Sequence, residues 1–454
     1  MRKVLIANRG EIACRVMRSC RKLGLATVAV YSEADREALH VETADEAVAI
    51  GPPPAKDSYL VGEKIIAAAK ERGADAIHPG YGFLSENSAF AAAVREAGLV
   101  WIGPTPQSIE DMGDKERARL LAKAAGVPIL EGSPRFTPDN LHGLVPAAEA
   151  VGYPLLVKAA AGGGGIGMRR VDGPGELEAC VTSTQTLAGK AFGDAAVYLE
   201  RFIEPARHIE VQVFGFGDGR AVHLFERECS IQRRFQKIIE ESPSPGLGES
   251  TRHAMAQAAT ALASRERYVG AGTVEFVADR EGRFYFLEMN TRIQVEHPVT
   301  EMITGFDLVE LQIRLARGDD LAWLTQDKIK TSGHAIEVRI YAENPAKNFL
   351  PSPGPLAVFA PPQTTEDLRI DAGFRQGDKV TFHYDPMIAK LIARGATREA
   401  AIDRLSHALA AFKVEGLTTN IAFLNNILQH PAFRAGETAT NFVTMHRNDL
   451  VAGL

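Results

Sequence analysis

Cysteine is scarce in this chain: four residues in 454, Cys14, Cys20, Cys180 and Cys229. None forms a Cys-x-x-Cys pair, which argues against a zinc ribbon or a disulfide-stapled scaffold and leaves reduced structural thiols. No apolar stretch approaches the roughly 20 residues that span a bilayer. The N-terminal run Val4-Leu5-Ile6-Ala7 is too short for the apolar part of a secretion signal. A cytoplasmic chain with no membrane partner is the expectation. Basic residues are in deficit, 51 Lys and Arg against 57 Asp and Glu, for a net charge of −6. Nucleic acid is therefore not an expected partner, and any anion pocket must gather its positive charge locally. Internal repeats and low-complexity tracts are absent. So is Gly-x-x-x-x-Gly-Lys-Ser/Thr, which excludes a P-loop.

What is present is an ordinary globular composition, 45% apolar and 24% charged, with length for two or three domains. Residues 1–113 alternate short β runs with helices: strands at Lys3 to Ala7, Ala26 to Tyr31, Ala76 to His78 and Val100 to Ile102, and helices at Glu11 to Leu23, Val61 to Arg72 and Ser88 to Ala97. That alternation implies βαβ units and a parallel, Rossmann-like sheet. Its first turn, Asn8-Arg9-Gly10, has a single glycine and no dinucleotide fingerprint. A second block, 114–331, opens with the helix Lys115 to Ala125, stopped by Gly126 and Pro128. A third, 332–454, starts with the strand His334 to Ile340 and ends in helices such as Ala400 to Phe412 and Ile421 to Leu428.

Inside the second block, the strand Tyr153 to Lys158 runs into Gly162-Gly163-Gly164-Gly165-Ile166-Gly167, and Met168 to Val171 reads as another strand. A strand–glycine loop–strand suits a flap over nucleotide phosphates, because glycine lets backbone N–H groups approach phosphate oxygens with no Cβ between. Lys158, just before the loop, adds a phosphate-directed charge.

Further on, Glu288-Met289-Asn290-Thr291-Arg292-Ile293-Gln294-Val295-Glu296-His297-Pro298 follows the apolar run Phe284 to Leu287. Such a density of unlike polar groups has no use in packing. Gly272 to Ala278 and Arg283 to Met289 are β-rich, with Asp279-Arg280-Glu281-Gly282 between them, a hairpin signal. A two-residue loop at Glu281-Gly282 sets Glu275 directly opposite Glu288, and a four-residue loop sets them diagonally on one face. A three-residue loop breaks that parity. In the first two registers the carboxylates lie roughly 5–8 Å apart, with Asn290 on the same face. Carboxylates so close repel unless a cation lies between them, and oxygen ligands suit Mg2+ or Mn2+.

Taken together these segments closely resemble the biotin carboxylase family of the ATP-grasp superfamily, over nearly the whole chain. The most specific stretches are His78-Pro79-Gly80-Tyr81-Gly82-Phe83-Leu84-Ser85-Glu86-Asn87, Met112-Gly113-Asp114-Lys115, Glu226-Arg227-Glu228-Cys229-Ser230-Ile231-Gln232-Arg233-Arg234, and the segment from Glu288 extended to Met302. The resemblance implies a mixed α/β and α+β fold. Its parts are a Rossmann-like N-terminal domain (1–113), an ATP-grasp domain (114–331) with a mobile glycine-rich lid at about 131–203, and an α+β C-terminal domain (332–454).

It also implies roles. Lys115, Lys158 and the loop glycines Gly163, Gly164 and Gly165 match ATP-phosphate contacts. Glu200, Arg201 and Ile203 match the adenine segment, with His208 on the ribose side and Gln232 beside the nucleotide. Glu275, Glu288 and Asn290 match the metal site. Lys237, Arg292, Gln294 and Val295 match the bicarbonate site, Glu296 the general base, Arg339 the arginine facing the biotin ureido oxygen, and Tyr81 a biotin-side contact. The implied reaction is ATP-dependent carboxylation of biotin N1′ through carboxyphosphate, the first half-reaction of an acetyl-CoA or other acyl-CoA carboxylase of the kind that feeds fatty acid biosynthesis. The implied cofactors are ATP and Mg2+ or Mn2+, with biotin as carrier-bound substrate. The implied partners are a biotin carboxyl carrier protein, carboxyltransferase subunits and a second copy of the chain.

Two residues depart from the family pattern: Ile166 stands where a basic residue is usual, and Phe235 where a histidine is common. None of the nine methionines precedes a lysine, so the biotin-acceptor motif Met-Lys-Met is missing and a stand-alone carboxylase component is expected. An ATP-grasp ligase for another acid would share Lys158, Glu275, Glu288 and Asn290 without needing Arg292, Gln294, Glu296 and Arg339. A nucleotide-binding regulatory subunit would draw support only from Ile166 and Phe235.

Overall fold

The structure, a computed structural model, describes residues 1–130, 132–161 and 167–454. Gly163, Gly164, Gly165 and Ile166 therefore lie outside the described residues.

The N-terminal sheet is parallel. Its five strands run in the order Glu46–Gly51, Ala26–Ser32, Lys3–Ile6, Ala76–His78, Val100–Trp101. The central strands read as unbroken apolar runs because helices cover both faces. Glu46–Gly51 escapes sequence reading because it is a half-buried edge strand with little β-branched content. The helix Gly10–Lys22 starts directly after the first strand and buries Ile12, Ala13, Val16, Met17 and Cys20 on one stripe. Glu11 in its first turn and Arg21 and Lys22 in its last suit the helix dipole. Its first turn thus places Glu11, buried, beside Tyr81 and Lys390.

The main sheet has eight strands, each antiparallel to its neighbours: Phe284–Asn290, Val269–Ala278, Arg207–Phe216, Ala221–Arg233, Gln236–Ser242, His334–Tyr341, Met387–Gly395 and Leu368–Ala372. It runs straight across residue 331, where sequence reading divides the second block from the third. The seam is the pairing of Gln236–Ser242 with His334–Tyr341, which sets Ile239 opposite Val338 and Glu240 opposite Glu337. Ile239 and Val338 join the C-terminal core, with the helices Arg398–Ala411 and Ile421–Gln429 packed over it. The opposite face carries Glu240, Glu337 and Arg339, so one strand pair serves core and site with alternate residues.

A three-stranded antiparallel sheet, Met168–Val171, Leu155–Ala159 and Val197–Arg201, packs with the helices Leu144–Val151 and Leu177–Phe192 around its own core of Phe136, Leu144, Leu155, Val157, Leu177 and Leu199. Along Leu155–Ala159 burial alternates, which turns Lys158 away from that core. Among the described residues no helix is long and apolar enough to cross a membrane.

Candidate active site

The hairpin that carries the polar segment is closed by three residues. Asp279 N–H donates to the Arg283 carbonyl at 2.9 Å, leaving Arg280, Glu281 and Gly282 in the loop, with Gly282 at φ 80°. The Asp279 carboxylate accepts from the N–H groups of Glu281 (3.0 Å) and Arg283 (2.9 Å), which favours this turn over a two-residue one. Such a loop puts Glu275 and Glu288 out of parity. A β-bulge then restores it: Phe276 pairs with Phe286, but Glu275 pairs with Glu288, so Leu287 is the extra residue. The two carboxylates end as direct cross-strand partners by a route the sequence reading did not contain.

Beyond Glu275 the same row continues across the sheet to Glu210 and Arg227. Arg227 is fully buried and donates to Glu210 (2.6 Å), Gln212 (2.8 Å), Thr300 (2.9 Å) and Thr273 (3.1 Å). Above the row sits Lys237, whose ammonium meets three carboxylates: Glu210 at 2.6 Å, Glu296 at 2.7 Å and Glu275 at 2.8 Å. Its three protons are thereby used. Burial disfavours the Lys237 charge, but these three acids outweigh it and hold its pKa well above the ordinary lysine range. Burial likewise opposes ionisation of Glu296, yet Lys237 and then Arg339 prevail and keep its carboxyl well below the usual range. Arg339 Nη2 lies 3.0 Å from Glu296 and 2.6 Å from Glu240.

The turn after the hairpin is bound into the same cluster. Asn290 and Gln294 donate to one oxygen of Glu275, at 2.8 and 2.9 Å. Arg292 spreads its guanidinium over Asn290 Oδ1 (2.8 Å), Gln294 Oε1 (3.1 Å) and Glu86 (2.9 Å). Glu86 also accepts from the Thr291 N–H at 3.2 Å. Glu288 differs from its partner: it opens onto solvent, and among the described residues no basic side chain pairs with it. Enclosure by the walls and the Glu275 charge both push the Glu288 carboxyl upward; water reaching Glu288 weakens the first effect and leaves the second. His208 Nε2 lies 2.8 Å from the other Glu275 oxygen.

All of these groups line one cavity of about 1070 Å3. Every described residue to which the sequence reading assigned a role is on its wall. Lys115, Lys158, Glu200, Arg201 and Ile203 form one end; His208, Gln232, Glu275, Glu288 and Asn290 the middle; Lys237, Arg292, Gln294, Val295, Glu296, Arg339 and Tyr81 the other end. Lys158 is paired with Glu200 at 2.6 Å, diagonally across adjacent strands, so the Glu200 carboxylate serves the lysine in this state. Burial and then the Lys158 charge lower the pKa of Lys115. Phe235 stands on the rim, 66% exposed, in the two-residue turn Arg234-Phe235 with φ of 51° and 64°. Such a turn usually takes Asn-Gly.

Among the groups in this cluster that carried no role in the sequence reading are Glu86, Glu210, Arg227 and Glu240. Glu86 lies in one of the resemblance segments and Glu210 alternates in phase with Gln212, but neither signal separates them from a solvated strand face.

Three family models cover most of the chain: "Biotin carboxylase, N-terminal domain" over residues 1–109, "Carbamoyl-phosphate synthase L chain, ATP binding domain" over 114–324, and "Biotin carboxylase C-terminal domain" over 337–445. Among curated proteins, the mitochondrial methylcrotonoyl-CoA carboxylase subunit alpha of Mus musculus is 51% identical over 449 residues, 99% of this chain and 62% of that protein. The chain thus spans about three-fifths of that relative's length. Biotin carboxylase 1 of Bacillus subtilis (strain 168) is 50% identical over 444 residues, 98% of each chain. Among solved structures, the biotin carboxylase domain dimer of Hydrogenobacter thermophilus 2-oxoglutarate carboxylase, in complex with MgADP, ADP and bicarbonate, superposes with a TM-score of 0.95 at 44% identity, covering 100% of this chain and 99% of that one. Campylobacter jejuni biotin carboxylase in a β-γ-ATP complex gives 0.93 at 43%, covering 98% and 99%.

Proposed function

The chain belongs to the biotin carboxylase family, and from that premise we propose that it carboxylates biotin N1′ on a carrier protein, using ATP and bicarbonate. The observation that carries this reading is the convergence of Arg292, Gln294, Glu296, Lys237 and Arg339 at one end of a cavity whose other end holds Lys115 and Lys158. The first group suits a small planar anion beside a base, and the second suits a polyphosphate.

A guanidinium grips bicarbonate through two N–H groups. Glu296 removes the bicarbonate proton, which makes the anion a nucleophile toward the γ-phosphate. In the structure Glu296 is ion-paired twice and is a weak base. Transfer of Arg339 to the ureido oxygen of biotin leaves Glu296 one cation fewer and raises its basicity. Attack on the γ-phosphate gives carboxyphosphate and ADP, and carboxyphosphate breaks down to CO2 and phosphate. The phosphate takes the N1′ proton, and N1′ then bonds to CO2 while Arg339 offsets the charge that grows on the ureido oxygen. Lys115 and Lys158 neutralise the transferring phosphoryl group, Lys158 exchanging Glu200 for phosphate. Glu200, Arg201, Ile203, His208 and Gln232 hold the nucleoside, with Tyr81 on the biotin side.

Glu275, Glu288 and Asn290 fit Mg2+ or Mn2+. Their donors are oxygens, the two carboxylates are cross-strand partners, and Glu288 carries a charge that no described basic side chain meets. A divalent cation there supplies charge neutralisation on phosphate oxygens. Residues 1–113, 114–331 and 332–454 are proposed as the three domains, with the glycine-rich lid at about 131–203.

The final acceptor is assigned to the acyl-CoA thioesters, a reading supported by relatives named for methylcrotonoyl-CoA and propionyl-CoA as well as by the resemblance. Partnership with a biotin carboxyl carrier protein, carboxyltransferase subunits and a second copy of the chain belongs to the same proposal, the last supported by the dimer of the Hydrogenobacter domain. The four free thiols suit a reducing compartment, and the cytoplasm is the one proposed. The deciding assay is ADP release with bicarbonate, with and without free biotin. Bicarbonate-dependent, biotin-stimulated release is expected. Release that ignores biotin, in protein shown to bind ATP, refutes the reading and leaves an ATP-grasp ligase for another acid.

A further inference from the structure

Lys390 has no part in the chemistry above, yet it is the most deeply buried ammonium beside it. It sits on the strand Met387–Gly395, paired with Arg339 on the neighbouring strand, and is 0% exposed. A buried ammonium is weak evidence of stabilisation, because desolvation consumes what its partners return. Its partners here are specific. Nζ donates to the Val295 carbonyl at 2.7 Å and lies 3.3 Å from Glu11 at the start of the helix Gly10–Lys22. Glu11 in turn accepts a hydrogen bond from the Tyr81 hydroxyl.

The turn 294–297 shows what that contact does. The carbonyl of Gln294 is taken by His297 Nδ1 at 2.7 Å, and the next carbonyl, Val295, by Lys390. Both peptide bonds are trans, so each N–H points opposite to its pinned carbonyl. His297 is fully buried behind the turn while Val295 lines the cavity. Holding the two carbonyls back therefore presents the Val295 N–H forward and sets the backbone from which Glu296 projects.

We propose that Lys390 is a positioning residue for the anion turn, linking it through Glu11 to the Tyr81 wall across three separate parts of the fold. The inference rests on the bicarbonate and biotin assignments above. Loss of the ammonium frees the Val295 carbonyl to rotate, so bicarbonate loses its aligned N–H and base while ATP keeps its contacts at the far end of the cavity.

The test is steady-state ADP release by the full chain carrying Lys390→Met, Lys390→Arg or Glu11→Gln, beside wild type. Lys390→Met is expected to raise the KM for bicarbonate roughly tenfold or more, the range for losing a hydrogen bond to a charged donor, with the KM for ATP unchanged. Lys390→Arg, which keeps charge and donors, recovers part of that loss. A folded Lys390→Met with wild-type bicarbonate KM, or with equal rises for bicarbonate and ATP, overturns the proposal. If Lys390→Met does not fold, Glu11→Gln decides: a raised KM for bicarbonate or biotin at unchanged ATP KM supports the link, whereas wild-type kinetics or failure to fold overturns it. Wild type is the control for the functional reading itself: absence of bicarbonate-dependent, biotin-stimulated release there removes that reading, whatever the variants do.

Discussion

Replacing Glu296 should cost less stability than replacing its partner Lys237, with equal consequences for turnover. Around them the buried acids are Glu210, Glu240, Glu275 and Glu296, and the cations bonded to them are Lys237, Arg227 and Arg339. His208, 2.8 Å from Glu275, and the buried Glu337, opposite Glu240, border the same cluster. Lys237 and Arg339 bond to different oxygens of Glu296, so Glu296→Gln keeps one acceptor and turns its amide NH2, a donor, toward the other cation. The stability loss should be about 1–3 kcal/mol. Lys237→Met instead leaves three carboxylates facing one another with no ammonium, and breaking a buried pair from one side costs about 3–5 kcal/mol. Turnover should collapse in both: Glu296→Gln loses the base, worth roughly 10^2 to 10^4 in rate, and Lys237→Met loses the cation that orders it. Thermal melts and bicarbonate-dependent ADP release on the same preparations measure both quantities. Equal stability losses, or wild-type release by Glu296→Gln, would show that the charge accounting or the base assignment is mistaken.

Further outcomes follow from neighbouring groups. Burial raises the Glu240 carboxyl from 4.5 to about 7, against the pull of Arg339. The folded state then binds more protons than the unfolded one between those values, so Glu240 costs stability as pH rises from about 4.5 through 7. Glu240→Gln should accordingly stabilise the protein more at pH 8 than at pH 5, by on the order of 1–3 kcal/mol, and equal effects at both pH values in urea titrations would contradict the assignment. Phe235 occupies a left-handed turn position at φ 64° with its ring 66% exposed. Phe235→Asn should raise the denaturant midpoint by the equivalent of about 1 kcal/mol, and no gain would mean the turn is unstrained. Chelation of divalent metal should abolish ADP release and leave the melting temperature unchanged, because Glu275 is already held by Lys237 and His208. A large melting shift on chelation would point to a structural metal.

Much of the fold was legible locally. The helices Gly10–Lys22, Gly62–Glu71 and Ser88–Glu96 and four of the five strands of residues 1–113 follow from period and capping residues, as with Asn87 capping Ser88–Glu96 through the Phe90 N–H, whereas the helix Pro106–Gly113 went unread. The strand Glu46–Gly51 was not legible, because edge position weakens its pattern. The hairpin that carries Glu275 and Glu288 is the instructive case. Alternation placed Glu275 and Glu288 on one face, but loop length controls parity, and the loop chosen by Asp279 is the one that breaks it. A bulge at Leu287 repairs it, and no single-strand pattern encodes a bulge.

By itself the sequence determined which chemistry was available: a run of unlike polar groups behind a β strand, a lysine before a glycine loop, and a resemblance specific enough to assign roles. Those are properties of residue type and short spacing. Only the tertiary structure decided which charges meet. Lys237 with Glu210, Glu275 and Glu296, Arg292 with Glu86, and Lys390 with Val295 and Glu11 are joined across 27 to 379 residues of chain. Such contacts depend on sheet order and on the continuity of one sheet across two domains. Charge neutrality inside a cavity is set by what the fold gathers there, and the sequence carries no local record of it.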